Sequence, residues 1–197
     1  LRLVLASGNP DKVREIKEIL RDIEVLPLSS FVDEFEIEES GLTFRENAYI
    51  KVQKAFELTG LPSLADDTGL VVHGLHGMPG VFSSRFAGEN AGYEANRRKL
   101  LEALRGMPLS ARRAYFICVV AFMEKPGEVR FFEGKVEGFI TKEPRGDGGF
   151  GYDPIFLYPP LGRTFAELSL REKNRVSHRY RALSRFREYL NESGLSR

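Results

Sequence analysis

An α/β domain built on a mixed sheet, with a cleft for a ligand, is the fold class that this sequence predicts, and three observations carry it. Short apolar runs with strand character alternate with segments whose apolar residues recur at helical spacing. Two longer strand-like runs, Ala114 to Met123 and Glu128 to Glu137, flank a Pro126-Gly127 turn, and such a hairpin rules out a purely parallel sheet. Finally, 197 residues at 42% hydrophobic composition suffice for one substantial core.

The elements follow in chain order. Leu1 to Ala6 form the first apolar run, and the turn after it reads as a helix start in which Asn9 caps and Pro10 takes the first helical position. Val13, Ile16, Ile19 and Leu20 then recur at helical spacing. Thr43-Phe44-Arg45-Glu46 is a capping box, and Phe44, Ala48, Val52, Ala55 and Phe56 form one apolar face until Gly60 ends the helix. Ser63 to Ala65 and Leu70 to His73 read as strand-like runs, with a turn at Thr68-Gly69 that lets both Asp66 and Asp67 face one cleft. After a glycine-rich loop, Tyr93 to Leu104 reads as a helix closed by Gly106. Beyond the hairpin lies a second glycine-rich loop, RGDGGFGYDP. Ser169-Leu170-Arg171-Glu172 then repeats the capping-box pattern, and Ser177 is placed to cap a final helix whose Leu183, Phe186 and Leu190 face the core.

Composition excludes several classes. A net charge of +1 argues against general nucleic-acid binding, because any basic patch is offset by acidic residues such as Glu34, Glu36, Glu38 and Glu39. Cys118, the single cysteine, excludes an internal disulfide and reads as a packed small hydrophobe within AYFICVVAF. No apolar stretch reaches membrane-spanning length, and LRLVLASGNPDK lacks the long apolar region of a signal peptide. A cytoplasmic protein with no membrane partner is expected. Without repeats, low-complexity tracts or long linkers, residues 1–197 are expected to form one domain.

Four clusters carry chemistry. In SGNPDK, a glycine turn before a helix start lets backbone approach an anion, and Lys12 adds a charge one turn in, although the spacing is not that of a Walker motif and a solvated lysine is the plain alternative. In EKNRVSHRYR, Lys173, His178 and Arg179 suit a phosphate or a base edge, or else belong to a basic solvated face with Arg181, Arg185 and Arg187. In GGFGYDP, Phe150 can stack on a nucleobase while Asp153 accepts hydrogen bonds from ring N–H groups, with a structural turn before IFLY as the alternative. Hypoxanthine, xanthine and guanine carry the N1–H donor that Asp153 requires; adenine does not. Glu39 joins Asp66 and Asp67 as candidate oxygen ligands for Mg²⁺, which commonly shares its ligands with substrate phosphates. Glu34, Glu36 and Glu38 read as a solvated face. His73 and His76 have HxxH spacing but no third nitrogen or sulfur ligand nearby, so zinc is not expected.

With SGNPDK, GLTFRENA, ADDTGL, GMPGVFSSRF, GGFGYDPIF and SHR in this order, the chain resembles the inosine triphosphate pyrophosphatase family, also called Ham1 or RdgB-like, over nearly its whole length. The resemblance implies Mg²⁺-dependent hydrolysis of non-standard purine nucleoside triphosphates, such as ITP, dITP and XTP, to the monophosphate and pyrophosphate. By position it implies that Ser7, Gly8, Asn9, Pro10, Asp11 and Lys12 form the triphosphate loop, that Asp67 is the acid-base residue and a metal ligand, and that Glu39 is another ligand. Thr68, Phe150, Gly151, Tyr152, Asp153, Lys173, His178 and Arg179 would match substrate contacts. The family fold implies an elongated mixed sheet flanked by helices, with two lobes beside a central cleft, and members commonly form homodimers. Thr68 stands where many relatives carry serine, keeping the hydroxyl, and Asp147 adds a negative charge beside the base loop.

On this reading the paired carboxylates hold Mg²⁺ over the phosphates and Asp67 accepts a proton from the attacking water. Asp66 is left open between metal ligand, partner to a ligand and base. Two other classes compete. A phosphatase with an aspartyl nucleophile usually separates nucleophile and acid by one residue, whereas here the aspartates adjoin. A single-strand binder would rely on Phe150 and the basic final helix and would show salt-dependent binding without turnover.

Overall fold

The computed structural model describes every residue except Glu34, Glu36, Ser196 and Arg197. Two of the acidic residues expected on a solvated face, Glu34 and Glu36, therefore lie outside the described residues, while Glu38 is exposed. Seven strands form one mixed sheet flanked by helices, in the order β2-β1-β3-β4-β5-β6-β7. Their ranges are β1 Arg2–Leu5, β2 Glu24–Pro27, β3 Ser63–Val72, β4 Arg113–Lys125, β5 Glu128–Ile140, β6 Phe156–Tyr158 and β7 Arg163–Thr164. The helices are α1 Pro10–Ile19, α2 Phe44–Thr59, α3 Tyr93–Ala103, α4 Leu170–Val176 and α5 His178–Ser193. Parallel pairing of β1 with β2 and β3, and antiparallel pairing of β6 with β5 and β7, make the sheet mixed. Among the described residues no helix is long and apolar enough to cross a membrane.

The chain divides into two compact units. The first comprises Leu1–Asp67, Cys118–Gly134 and His178–Arg197. Three of the four residues of β1 are buried, and Val4↔Ser63 and Val4↔Leu26 set its register in the middle of three parallel strands. Such a strand is covered on both faces and reads as a continuous apolar run, which is how Leu3-Val4-Leu5 appears. Ile16 and Ile19 of α1 and Leu183, Phe186 and Leu190 of α5 pack into the same core, where the Phe122 and Phe186 rings lie 5.1 Å apart. Helix α2 begins with the expected capping box, Thr43 Oγ1 accepting from the Glu46 amide at 3.1 Å, and ends at Gly60 with a φ of 65°.

The second unit comprises Thr68–Ile117 and Lys135–Ser177. Its core is aromatic, with Phe116, Phe156 and Phe165 mutually in contact at ring separations of 4.5 to 5.9 Å. Arg112 is buried here, its guanidinium donating to the carbonyls of Leu104, Ile140 and Thr141, which ties the end of α3 to the end of β5. Glu172 closes the box at the start of α4 by accepting from the Ser169 amide at 2.8 Å.

One local expectation is corrected. No turn forms at Thr68-Gly69, and β3 runs unbroken through Asp66, Asp67, Thr68 and Gly69. A strand hydrogen-bonded between β1 and β4 gains ladder bonds on both edges, and cations on neighbouring helices make the burial of its carboxylates tolerable. Strands β2, β6 and β7 were not anticipated, being two to four residues long and too short to show a period.

Close approach of β5 to α5 depends on Gly134, where a Cβ would fall 2.0 Å from the His178 carbonyl oxygen and 2.5 Å from the Ala182 nitrogen. Backbone on both sides leaves no flexible atom to yield. Gly134→Ala should therefore destabilise the chain by about 3 kcal/mol in urea denaturation; a midpoint equal to wild type would mean that α5 is not seated against β5 in this way.

Candidate active site

The end of β1 delivers Ser7, Gly8 and Asn9 to the start of α1. Asn9 Oδ1 accepts from the amides of Asp11 at 3.0 Å and Lys12 at 3.2 Å, so two of the helix-start donors expected to face an anion are taken by the cap. Pro10 occupies the first position, the Asn9 amide donates to Ser7 Oγ at 3.3 Å, and a Cβ at Gly8 would meet nothing within 4 Å. Lys12 is thereby held at its backbone while its ammonium reaches Asp66 Oδ1 at 3.4 Å.

The two aspartates on β3 serve different neighbours, because successive strand side chains point to opposite faces. Asp66 meets Lys12 of α1, Arg179 of α5 and, at 3.9 Å, Cys118 Sγ of β4. Asp67 meets α2 instead. Its Oδ1 accepts from Lys51 Nζ at 2.9 Å and its Oδ2 from Asn47 Nδ2 at 3.4 Å. The same Lys51 ammonium donates to Glu39 Oε1 at 3.0 Å, and Asn47 Oδ1 accepts from the Gly41 amide at 2.8 Å, which pins the Glu39–Gly41 segment to α2. Asp67 is only 5% exposed. Burial pushes its carboxyl above the ordinary range, with Lys51 and Lys12 opposing and Glu39 adding to the rise. For Lys51 burial acts downward, but Asp67, Glu39 and Asp66 outweigh it and hold the ammonium above its usual value. The result is a basic carboxylate beside a lysine that stays charged.

In the second unit the glycine-rich loop is built around Asp153. Gly149 has a φ of 65°, and a Cβ there would sit 2.2 Å from Asp153 Oδ2. That oxygen accepts from the Phe150 amide at 2.9 Å and from Lys173 Nζ, and both partners of this pair are about 2% exposed. The Lys173 ammonium lies 4.7 Å from the Phe150 ring centre, and the Tyr93 ring stands 5.8 Å from that ring centre. Arg97 donates to the Gly151 carbonyl at 2.7 Å, and the Tyr152 hydroxyl, pushed well above its ordinary value by burial, donates to the Ser83 carbonyl at 2.8 Å. Thr68 is half-buried beside Asp67 on β3.

Several residues named from sequence are thus brought together: Lys12 with Asp66 and Arg179, Glu39 with Asp67, and Phe150 with Asp153 and Lys173. His178 and Arg179 open α5 as deeply buried residues, and the Arg179 guanidinium contacts the carboxylates of Asp66 and Glu15. Sequence reasoning missed Lys51, Asn47 and Glu15. The signal was present, since Asn47 and Lys51 fall in the buried stripe of α2 with Ala48, Val52 and Ala55, and Glu15 adjoins Ile16 on the buried side of α1. A charged residue inside an apolar stripe needs a buried partner.

The model of the Ham1 family matches residues 3–189. A dITP/XTP pyrophosphatase of Geobacter sulfurreducens is 48% identical over 196 residues, 98% of each chain, and one of Coxiella burnetii is 48% identical over 199 residues, 99% of each. Among solved structures, a HAM1 protein from Coxiella burnetii superposes with a TM-score of 0.89 at 48% identity, covering 98% of this chain and 99% of that one. The Staphylococcus aureus Ham1 protein gives 0.88 at 40% identity, covering 98% and 100%.

Lys51 is the hub that the geometry adds. Lys51→Met would leave two carboxylates without their shared cation, and its expected cost in urea denaturation is on the order of 3 kcal/mol, with Lys51→Arg losing less. Unchanged stability in the methionine variant would show that the Glu39–Lys51–Asp67 cluster does not form.

Proposed function

The chain belongs to the Ham1 family, and on that premise we propose that it hydrolyses non-canonical purine nucleoside triphosphates (ITP, dITP and XTP) to the monophosphate and pyrophosphate, as one catalytic domain. The observation that carries this reading is the buried Asp67 carboxylate, raised in basicity and set against Glu39 and Lys51. Asp67 accepts the proton of the attacking water, and Lys12 and Lys51 counter the charge that builds on the phosphates. Phe150 offers a stacking face for the base. The Asp153–Lys173 pair supplies an acceptor and a cation, matching the N1–H and the 6-oxo group of hypoxanthine or xanthine; adenine reverses both.

The donor set suits Mg²⁺. Among the described residues no group of three or more His, Cys, Asp or Glu forms a metal cage, but Mg²⁺ typically takes one or two carboxylates together with substrate phosphates. Glu39 and Asp67 converge on one cationic position, now served by Lys51, and carry more negative charge than it offsets. They would hold the ion, which when bound supplies charge neutralisation at the attacked phosphorus. A nucleotide-pool substrate puts the reaction in the cytoplasm. Exposed Met78 and Phe82 support pairing with a second copy of the chain, and a monomeric mass by light scattering would overturn that pairing.

The deciding assay combines a panel of nucleoside triphosphates with Mg²⁺ in ¹⁸O-labelled water. ITP and XTP should exceed ATP by about tenfold to a hundredfold, the penalty of one or two unpaired buried contacts. Label is expected in the nucleoside monophosphate, marking attack at the α-phosphorus, and Asp67→Asn should lower kcat by about a hundredfold or more while the fold persists. Equal turnover of ATP and ITP, or label in pyrophosphate or orthophosphate, would defeat the assignment.

A further inference from the structure

The adjacent carboxylates on β3 have unequal surroundings. Around Asp67, two carboxylates share one ammonium at contact distance, with Lys12 acting from further off. Around Asp66 two cations converge. Asp66 Oδ2 accepts from Arg179 Nε at 3.3 Å and Nη2 at 3.1 Å, Arg179 Nη1 donates to Glu15 Oε2 at 2.5 Å, and Lys12 Nζ stands 3.4 Å from Asp66 Oδ1. In these contacts two carboxylates meet a guanidinium and an ammonium, a cation for each anion. The side chains of Glu15, Asp66 and Arg179 are each 1% exposed, and that of Lys12 is 17% exposed. A divalent cation beside Asp66 would put excess positive charge where no water disperses it, whereas loss of the Asp66 charge would leave two cations under-compensated.

We propose that Asp66 is a positioning residue for the triphosphate rather than a metal ligand: it anchors the Lys12 ammonium, the member of the cluster that solvent reaches, on the rigid Arg179–Glu15 pair. This inference rests on the triphosphate role given to Lys12 above. A lysine side chain is rich in rotamer entropy, part of which would otherwise be lost when phosphate binds. Here the Asn9 cap fixes its backbone and the Asp66 carboxylate draws its ammonium to one side before phosphate arrives.

Metal-free binding of inorganic pyrophosphate by calorimetry, together with ITP turnover across a Mg²⁺ titration, separates the roles in wild type, Asp66→Asn, Lys12→Ala and the double variant. Each single variant should weaken pyrophosphate binding and raise the KM for ITP, the lysine variant by about tenfold and Asp66→Asn by no more, and the double variant should match Lys12→Ala within about twofold, the mark of two residues acting through one contact. The Mg²⁺ concentration for half-maximal rate should stay in place. Additive losses would show that Asp66 acts independently of Lys12, and unchanged pyrophosphate binding with a raised Mg²⁺ requirement would make Asp66 a metal ligand; either overturns the proposal. Should Asp66→Asn fail to fold, Arg179→Lys keeps the charge but loosens the fork on Asp66. Weaker pyrophosphate binding at an unchanged Mg²⁺ requirement supports positioning, and a lowered Mg²⁺ requirement refutes it. The binding arm does not depend on turnover, so a chain that binds pyrophosphate in this pattern yet leaves ITP intact would refute the proposed function and keep this inference.

Discussion

Two buried anions adjacent on a central strand impose the constraint on which the first unit of this protein depends. Neither Asp66 nor Asp67 can be left without a cation, since a buried charge that loses its partner costs several kcal/mol. The strand pleat then sends them to opposite faces, so each makes its contact ion pairs with different helices. Helices α1 and α5 answer Asp66 with Lys12 and Arg179, and α2 answers Asp67 with Lys51. At about 4 Å and an effective dielectric of about 20, each such contact is worth roughly 4 kcal/mol before desolvation is subtracted, enough to decide which residues these helices turn inward. The placement of three helices around β3 is as much an electrostatic solution as a hydrophobic one.

The same constraint separates chemical roles that adjacent identical side chains would otherwise share. Around Asp66, Arg179 is fixed by a forked and buried contact, while Lys12 stands at the edge that solvent reaches. Around Asp67 the partly exposed Glu39 and the raised carboxyl make a different environment.

In the second unit, covalent shape rather than charge is the limiting term. Asp153 and Lys173 neutralise each other, and the loop that carries Phe150 closes over them only because Gly149 has no Cβ. Tyr93, Arg97 and Tyr152 brace that loop through a ring contact and two hydrogen bonds to backbone carbonyls. A braced aromatic loses little freedom when it meets a flat ligand, which is the condition for selective stacking.

Local signals determined much of this by themselves. Capping boxes at Thr43 and Ser169, the Asn9-Pro10 helix start, the Pro126-Gly127 hairpin and the apolar spacing of α1, α2 and α5 are properties of a few consecutive residues, and the chain displays them openly. Motif order placed Lys12, Glu39, Asp67, Asp153 and Lys173 among the residues of interest. What only the tertiary structure decided is the pairing among them. That Asp66-Asp67-Thr68-Gly69 is strand and not turn depends on ladder partners in β1 and β4, far away in sequence. Lys51 and Glu15 look like ordinary helix charges, and the partners of Arg179 stay hidden, until the 16 to 164 residues between partners are closed by folding. A carboxylate's role is set by which cations reach it and by how much water remains, and both are sums over neighbours that no short stretch of sequence contains.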